Sequence, residues 1–257
     1  LEKYCKENKI INLLDIPTEE LSDKQKIIQK AHKTNKPWFD KNLKNEFKDI
    51  KFPIYFMDFE TVQQGVPIIK GTKPFYQLPF QWSVHKWESL DKKINNPKSF
   101  LKFEDHTIER QFIESLFKVV GKKGTIFVHN SPFEKSILNN LKNNENCKDL
   151  ADEINKLIDR IEDTLILARK NFYSPLMNGS YTIKNIIKAI PGCLISYEKK
   201  DNLASGDDAQ LAWLTYTNPK TDDKEKENQK KFLIDYCSKD TLAVYYLIKY
   251  LMEESKK

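Results

Sequence analysis

Two carboxylates stand one residue apart at the end of an apolar run. Residues 54–57 are apolar and are followed by Asp58, Phe59, Glu60 and Thr61. Strand side chains alternate between faces, so Asp58 and Glu60 should project from the same face. Like charges this close repel unless a cation lies between them, and Mg²⁺ and Mn²⁺ prefer oxygen ligands. The pair predicts a divalent-metal site where a buried strand ends; a solvated strand edge is the alternative.

A second acidic residue is expected in the first turn of a helix. The apolar run at 124–129 predicts a short buried strand, and Pro132 begins a helix predicted to reach residue 141. This arrangement puts Glu134 near the positive end of the helix dipole. Glu134 is therefore either a metal ligand or an acid that only complements the helix terminus.

A third acidic position lies inside the last long helix, which is predicted over residues 231–252. Tyr236 and Asp240 are four residues apart, so their side chains leave the same helix face. The surrounding residues are largely apolar, and a buried aspartate is costly unless it is paired or bound to metal. This setting favours a functional role for Asp240 over a merely solvated one.

Together these segments resemble the DEDD (DnaQ-like, ribonuclease-H-like) superfamily of 3′-5′ exonucleases, in its tyrosine subclass. Asp58-Phe59-Glu60-Thr61 is similar to the Asp-x-Glu motif of that family. The segment from Asn130 to Glu134 is similar to its Asn-x-x-Phe-Asp motif, and Tyr236 with Asp240 to its third motif. The resemblance spans about residues 52–252 and suggests an uncharacterised bacterial branch. Glu134 departs from the family pattern, which has aspartate there.

The resemblance implies a two-metal nuclease. Two Mg²⁺ or Mn²⁺ ions would be held by Asp58, Glu60, Glu134 and Asp240, with Tyr236 orienting the attacking water. Asp163, in an Asp-Thr pair, is a possible supporting acid. Residues expected to contact nucleic acid, from their motif positions or as aromatic and basic side chains, are Thr61, Val62, Asn130, Phe133, Tyr181 and Lys184.

The expected function is therefore metal-dependent 3′-5′ exonuclease activity on single-stranded DNA or RNA ends. Two alternatives remain open. The first is a catalytically weakened nucleic-acid-binding module in which Glu134 has impaired the second metal position. The other is a structure-specific endonuclease on the same fold.

The elements that must position these residues indicate an α/β fold, with a ribonuclease-H-like mixed β-sheet flanked by helices. Residues 1–50 are predicted to be a helical linker or the tail of a preceding domain, with a helix start near residues 15–20. Residues 51–257 are predicted to form the exonuclease-like domain. Further predicted elements are strands at 54–59, 80–85 and 99–103, helices at 107–120 and 148–170, a turn into a helix at 179–184, and a solvated loop or helix start at 217–230.

Composition limits the possible partners. The 257 residues carry a net charge of +6, which favours anionic partners, although 37 acidic residues offset most of the 43 basic ones. The four cysteines show no Cys-x-x-Cys pairing, so reduced thiols and a cytoplasmic location are expected. No apolar stretch approaches membrane-spanning length, so a soluble protein with no membrane partner is expected. The chain begins at Leu1 without methionine, which suggests part of a longer multidomain polypeptide.

Overall fold

The computed structural model describes residues 1–67, 72–103, 107–197 and 206–257. The strands are β1 (Trp38–Phe39), β2 (Ile54–Gln63), β3 (Gln77–Trp87), β4 (Lys98–Leu101), β5 (Ile126–Val128), β6 (Ile161–Asp163) and β7 (Phe172–Tyr173). The α-helices are α1 (Glu2–Glu7), α2 (Asp23–Thr34), α3 (Ile108–Val120), α4 (Pro132–Lys142), α5 (Ala151–Ile158), α6 (Thr164–Asn171), α7 (Ile183–Ile186), α8 (Gly206–Thr217) and α9 (Asp223–Glu254).

The described chain divides into two compact units. The first unit contains residues 1–48, 165–194 and 246–257, and the second contains residues 49–164 and 195–245. The domain boundary expected near residue 50 stays a prediction. Within the described ranges, no helix combines the length and the apolar composition needed to cross a membrane.

The second unit is built on a five-stranded mixed sheet. Its strand order is β4-β3-β2-β5-β6, with β2 antiparallel to β3 and parallel to β5. Strand β4 is antiparallel to β3, and β6 is parallel to β5. The predicted mixed α/β sheet flanked by helices is confirmed.

Strand β2 lies at the centre of this sheet and presents apolar residues on both faces, as a strand covered by helices on each side must. On one face, Tyr55, Met57 and Phe59 join an apolar cluster that includes residues of α3, α4 and α5. On the other face, Phe56 meets the ring of Tyr245 from α9 edge-on, with ring centroids 5.5 Å apart. Burying side chains of this size stabilises the fold by about 1.5–3 kcal/mol each.

The prediction that β2 ends near residue 59 is wrong. The strand continues to Gln63 because its pairing with β3 persists from Ile54 to Gln63. The register shifts between Glu60 and Thr61, so the irregularity falls directly after the second carboxylate. Asp58 and Glu60 therefore lie within a long strand and beside a bulge, rather than at a strand end.

The continuous helix predicted over residues 148–170 is also wrong. The segment contains a 3-10 turn at Lys148–Leu150, helix α5, the short strand β6 and the start of α6. Ile161 in β6 pairs with Ile126 in β5, and Val128 pairs with Asp163. A three-residue strand is too short to show period-two alternation, so the apolar spacing of its helical neighbours concealed it.

The remaining predictions agree more closely with the structure. Helix α3 is followed by Gly121, which has a positive φ of 54°, at the predicted stop. Strand β3 contains the whole predicted run 80–85, β4 lies at 98–101, α4 begins at Pro132, and Thr182 is the N-cap of α7. The charged segment before residue 231 forms the first turns of α9, which begins at Asp223. Helix α8 was not predicted.

The first unit contains the two-stranded antiparallel pair β1 and β7, with Trp38 opposite Tyr173. Helix α2 begins at Asp23, after a 3-10 turn at Thr18–Glu20, so it starts later than the sequence indicated. Its start is fixed by a capping box in which the side chain of Gln25 accepts a 2.9 Å hydrogen bond from the Ser22 amide.

Candidate functional site

The carboxylates of β2 face a cysteine of α9. The Cys237 thiol donates a hydrogen bond to Asp58 Oδ2 at 3.4 Å and lies 3.6 Å from the Asp58 main-chain oxygen. One ligand atom each from Asp58, Glu60 and Cys237 lies within 4.8 Å of the others. Glu60 and Cys237 are buried, whereas Asp58 is partly exposed. Two acids and a thiol therefore converge where β2 meets α9.

Glu134 is a buried acid in the first turn of α4. Its side chain is only 2% exposed, and its Oε2 atom is buried without a hydrogen-bond partner. Burial is the main reason that its pKa is raised well above the ordinary value of 4.5, and the negative charges of Asp58 and Asp163 raise it further. A backbone hydrogen bond to the carboxylate lowers the pKa in part. A buried carboxylate oxygen without a partner is still costly, so Oε2 would be satisfied by either a proton or a cation.

Asp163 organises the turn that leads to Glu134. Its Oδ1 accepts a hydrogen bond from the Asn130 amide at 3.2 Å, and its Oδ2 accepts one from the Ser131 amide at 2.8 Å. Asn130 has a positive φ of 76°, a conformation that asparagine tolerates better than most residues. Asp163 thus fixes the backbone between β5 and α4 and adds negative charge near Glu134.

The third acidic position is engaged by a tyrosine. The Tyr197 hydroxyl donates a hydrogen bond to Asp240 Oδ1. Burial and then the charge of Asp240 raise the pKa of Tyr197 above its ordinary value. Tyr236 is 8% exposed, and burial followed by the charges of Asp240, Glu60 and Asp58 raises its pKa as well. Both phenols are therefore protonated at neutral pH.

These side chains suit a divalent cation. The donor set combines carboxylate oxygens with one thiol, and hard or borderline divalent ions accept such ligands. The unpartnered Oε2 of Glu134 is an independent feature that a bound cation, like a proton, would satisfy. The ligand atoms that lie close enough to share one ion belong to Asp58, Glu60 and Cys237. Glu134 and Asp240 are the other predicted ligands, and they lie outside this close group.

An open cavity of about 620 Å³ borders the tyrosines of this site. Its lining includes Tyr197 and Tyr236, together with Phe232, Lys231 and Lys239. The rings of Phe232 and Tyr236 stack with their centroids 5.7 Å apart. The acids Glu225 and Asp235 also line the cavity and offset the two lysines. The cavity thus offers aromatic faces on which bases can stack, but no net positive charge.

The residues predicted to contact nucleic acid have differing environments. Thr61 and Val62 are buried, and Val62 belongs to an apolar cluster with Trp213. Phe133 is partly buried against the main core, whereas Asn130 is exposed.

Tyr181 and Lys184 belong to the first unit. There the Tyr181 hydroxyl donates to the Phe172 main-chain oxygen at 3.1 Å, and the guanidinium of Arg169 lies 6.0 Å from the centroid of its ring. Burial raises the pKa of Tyr181 to about 12. The contact of Tyr181 and Lys184 with nucleic acid stays a prediction.

Two residues of the site were missed by the sequence analysis. Cys237 lies three residues before Asp240, so the two share a face of the predicted helix, and this spacing was the available signal. Tyr197 lies 43 residues before its partner Asp240, and no local pattern marks it.

Comparison with known proteins adds a family and a relative. A family described as a domain of unknown function (DUF2779) matches residues 55–182, a range that contains Asp58, Glu60, Glu134 and Asp163. The chain is 26% identical over 231 residues to "Uncharacterized protein MG366" of Mycoplasma genitalium, covering 84% of this chain and 34% of the relative. The chain therefore spans about a third of the length of that relative. No solved structure matches significantly.

Proposed function

We propose that this protein is a metal-dependent 3′-5′ exonuclease that hydrolyses phosphodiester bonds at single-stranded DNA or RNA ends. The observation that carries the proposal is the buried, unpartnered Oε2 of Glu134, whose negative neighbours are Asp58 and Asp163. Such an arrangement of acids is costly for folding alone, which favours a role in binding cations. The resemblance to DEDD exonucleases supplies the reaction class.

In this proposal, Asp58, Glu60, Glu134 and Asp240 hold two Mg²⁺ or Mn²⁺ ions. When bound, such ions activate water and stabilise the charge that develops on a phosphodiester and its leaving oxygen. Glu134 is one methylene longer than the aspartate of the resembling motif. Asp163 would act indirectly, by holding the Asn130 and Ser131 amides that set the start of α4.

Tyr236 would orient the attacking water by hydrogen bonding. Because its pKa is raised, the phenol keeps its proton at neutral pH and is a poor general base. The hydroxyl can still accept one hydrogen bond and donate another, which is sufficient to position a water. We therefore expect Tyr236→Phe to lower kcat more than it weakens substrate binding.

The terminal nucleotide would enter through the cavity beside Tyr236. The rings of Phe232 and Tyr236 provide surfaces on which a base can stack. Lys231 and Lys239 can contact phosphates, although Glu225 and Asp235 line the same cavity and offset their charge. Recognition of this kind is tolerant of base sequence. A cytoplasmic location belongs to the same proposal and is supported by the cysteine pattern.

The test is degradation of 5′-labelled single-stranded DNA and RNA with Mg²⁺ or Mn²⁺. The wild-type chain should shorten one or both substrates from the 3′ end, and EDTA should stop the reaction. Asp58→Asn and Asp240→Asn should abolish shortening, whereas Asp159→Asn, at an exposed residue of the same unit, should not.

A substrate with a blocked 3′ end separates the alternatives. An exonuclease should stall on it, whereas internal cleavage would favour the endonuclease. Binding of single strands without cleavage under either metal would favour the catalytically weakened module. In that case Glu134, at the position where the resembling motif has aspartate, would be the expected cause.

A further inference from the structure

We propose that Cys237 is a metal ligand, and that its thiolate makes one ion position favour borderline divalent cations such as Zn²⁺ and Co²⁺ over Mg²⁺. The inference rests on the proposed function in one respect, because both require a cation between β2 and α9. It assigns a fifth ligand from this chain and a selectivity that four carboxylates alone would not provide.

The separation of the thiol and the Asp58 carboxylate matches that of two ligands of one ion. In a tetrahedral site, metal–sulfur and metal–oxygen bonds of about 2.3 and 2.1 Å place sulfur and oxygen about 3.6 Å apart. Cys237 Sγ already lies 3.4 Å from Asp58 Oδ2, and a ligand atom of Glu60 lies within 4.8 Å of both. The thiol and the Asp58 carboxylate are therefore already spaced to share one ion, with Glu60 beside them.

A second observation indicates that this cluster is built for positive charge. Glu134, whose Oε2 is buried and unpartnered, is influenced most strongly among charged groups by Asp58, the acid that also faces the thiol. A cysteine used only for packing would not need to point at a carboxylate, and Cys237 has no exposed surface. On binding, the thiol proton passes to solvent as the sulfur–metal bond forms, and no oxidation or reduction occurs.

Cobalt absorption tests the proposal, because only thiolate coordination produces a sulfur-to-cobalt charge-transfer band in the near ultraviolet. The background protein carries Cys5→Ser and Cys193→Ser, which removes the two cysteines that are not fully buried. Titration of this EDTA-treated protein with Co²⁺ should produce the band. Cys237→Ser should eliminate it, whereas Cys147→Ser, at a buried thiol in a different cluster, should preserve it.

Calorimetry in parallel measures selectivity. Cys237→Ser should weaken Co²⁺ binding at least about tenfold, since even residues outside the ligand shell contribute about 10–100-fold to metal affinity. Mg²⁺ affinity should change far less. Cys237→Ala provides a second variant if the serine protein is poorly folded, as judged by circular dichroism.

The outcomes distinguish this proposal from the proposed function. Cobalt binding without the charge-transfer band, or no cobalt binding at all, would overturn the role of Cys237 even if the protein degrades single strands. The band in the wild type, lost in Cys237→Ser, would support the ligand even if no nuclease activity is found.

Discussion

The hydroxyl of Tyr197 donates a hydrogen bond to Oδ1 of Asp240. A phenol that donates to an ionised carboxylate makes a charge-assisted bond, which is stronger than one between neutral groups. One of the four proposed carboxylate ligands therefore already accepts a hydrogen bond from within the chain. A cation that binds Asp240 must share this oxygen with Tyr197 or displace it.

Tyr197→Phe should consequently strengthen metal binding. Removing the donor restores full negative charge to Asp240, and hydrogen bonds to charged groups contribute about 1.5–3 kcal/mol. Part of this is recovered through water, so we expect Mn²⁺ to bind about three- to tenfold more tightly, measured by calorimetry. Tyr216→Phe, at a ring stacked on Phe103, is the matched control. Weaker binding in Tyr197→Phe would mean that the hydroxyl holds Asp240 in its binding orientation.

Glu134→Gln should stabilise the metal-free protein above pH 4.5. Below that pH, the carboxyl is protonated in both the folded and the unfolded state. As pH rises, the unfolded state loses its proton first, because the folded pKa is raised. The free energy of unfolding of the wild type therefore falls with pH until the folded group also ionises. Glutamine cannot ionise. Urea denaturation in EDTA should therefore show that the free energy of unfolding declines less with rising pH in the variant than in the wild type.

Adding Mn²⁺ should reverse the order of stability of Glu134→Gln and the wild type. With Mn²⁺ present, the wild type gains binding free energy that Glu134→Gln lacks, so the wild type should become the more stable protein. Glu162→Gln, at an exposed residue of β6, should follow the wild type in both conditions. If Glu134→Gln and the wild type respond equally to pH and to Mn²⁺, Glu134 is neither strained by burial nor a metal ligand.

The strongest sequence signals belonged to long elements with a clear period. Strand β3 and helix α3 were recognised because each spans enough residues for alternation or helical spacing to show. Asp58 and Glu60 were recognised because both lie on one strand, so their shared face follows from local geometry.

What the sequence could not supply is contact between distant segments. Strand β6 has only three residues, and its identity comes from pairing with β5. The bond from Tyr197 to Asp240 and the two amides held by Asp163 are likewise tertiary contacts, which no local pattern encodes. The bulge after Glu60 arises from the register with β3 rather than from any turn residue in β2.

Asp163→Ala should destabilise the second unit even without metal. The substitution leaves the Asn130 and Ser131 amides without their acceptor. Each lost hydrogen bond to a charged group costs about 1.5–3 kcal/mol. The cost is smaller at Asn130, because this residue is exposed and water can replace the lost acceptor. Urea denaturation in EDTA should therefore show a loss of about 2–4 kcal/mol. Asp163→Asn should recover part of it, because one oxygen remains an acceptor. A loss seen only with Mn²⁺ would instead identify Asp163 as a metal ligand.

His85 should make the second unit sensitive to acid. This residue of β3 is 4% exposed, and its Nδ1 lies 2.8 Å from Thr241 Oγ1 of α9. Burial lowers its pKa from 6.5 to about 4. Above pH 6.5, the ring is neutral in both states. As pH falls towards 4, the unfolded state takes up a proton that the folded state excludes, so stability is lost.

His85→Gln should remove this dependence, because glutamine can still reach Thr241 with a hydrogen bond but cannot be protonated. As the pH falls from 7 to 5, the wild type should lose about 2 kcal/mol of unfolding free energy that the variant keeps. This figure follows because a shift of one pKa unit corresponds to about 1.4 kcal/mol. Urea denaturation at both pH values measures the change. Thr241→Ser keeps the hydroxyl and has no titratable group, so its difference from the wild type should not depend on pH. If the difference in unfolding free energy between His85→Gln and the wild type is the same at both pH values, the ring takes up its proton equally in the folded and unfolded states. The contact of β3 with α9 would then not be the acid-sensitive element.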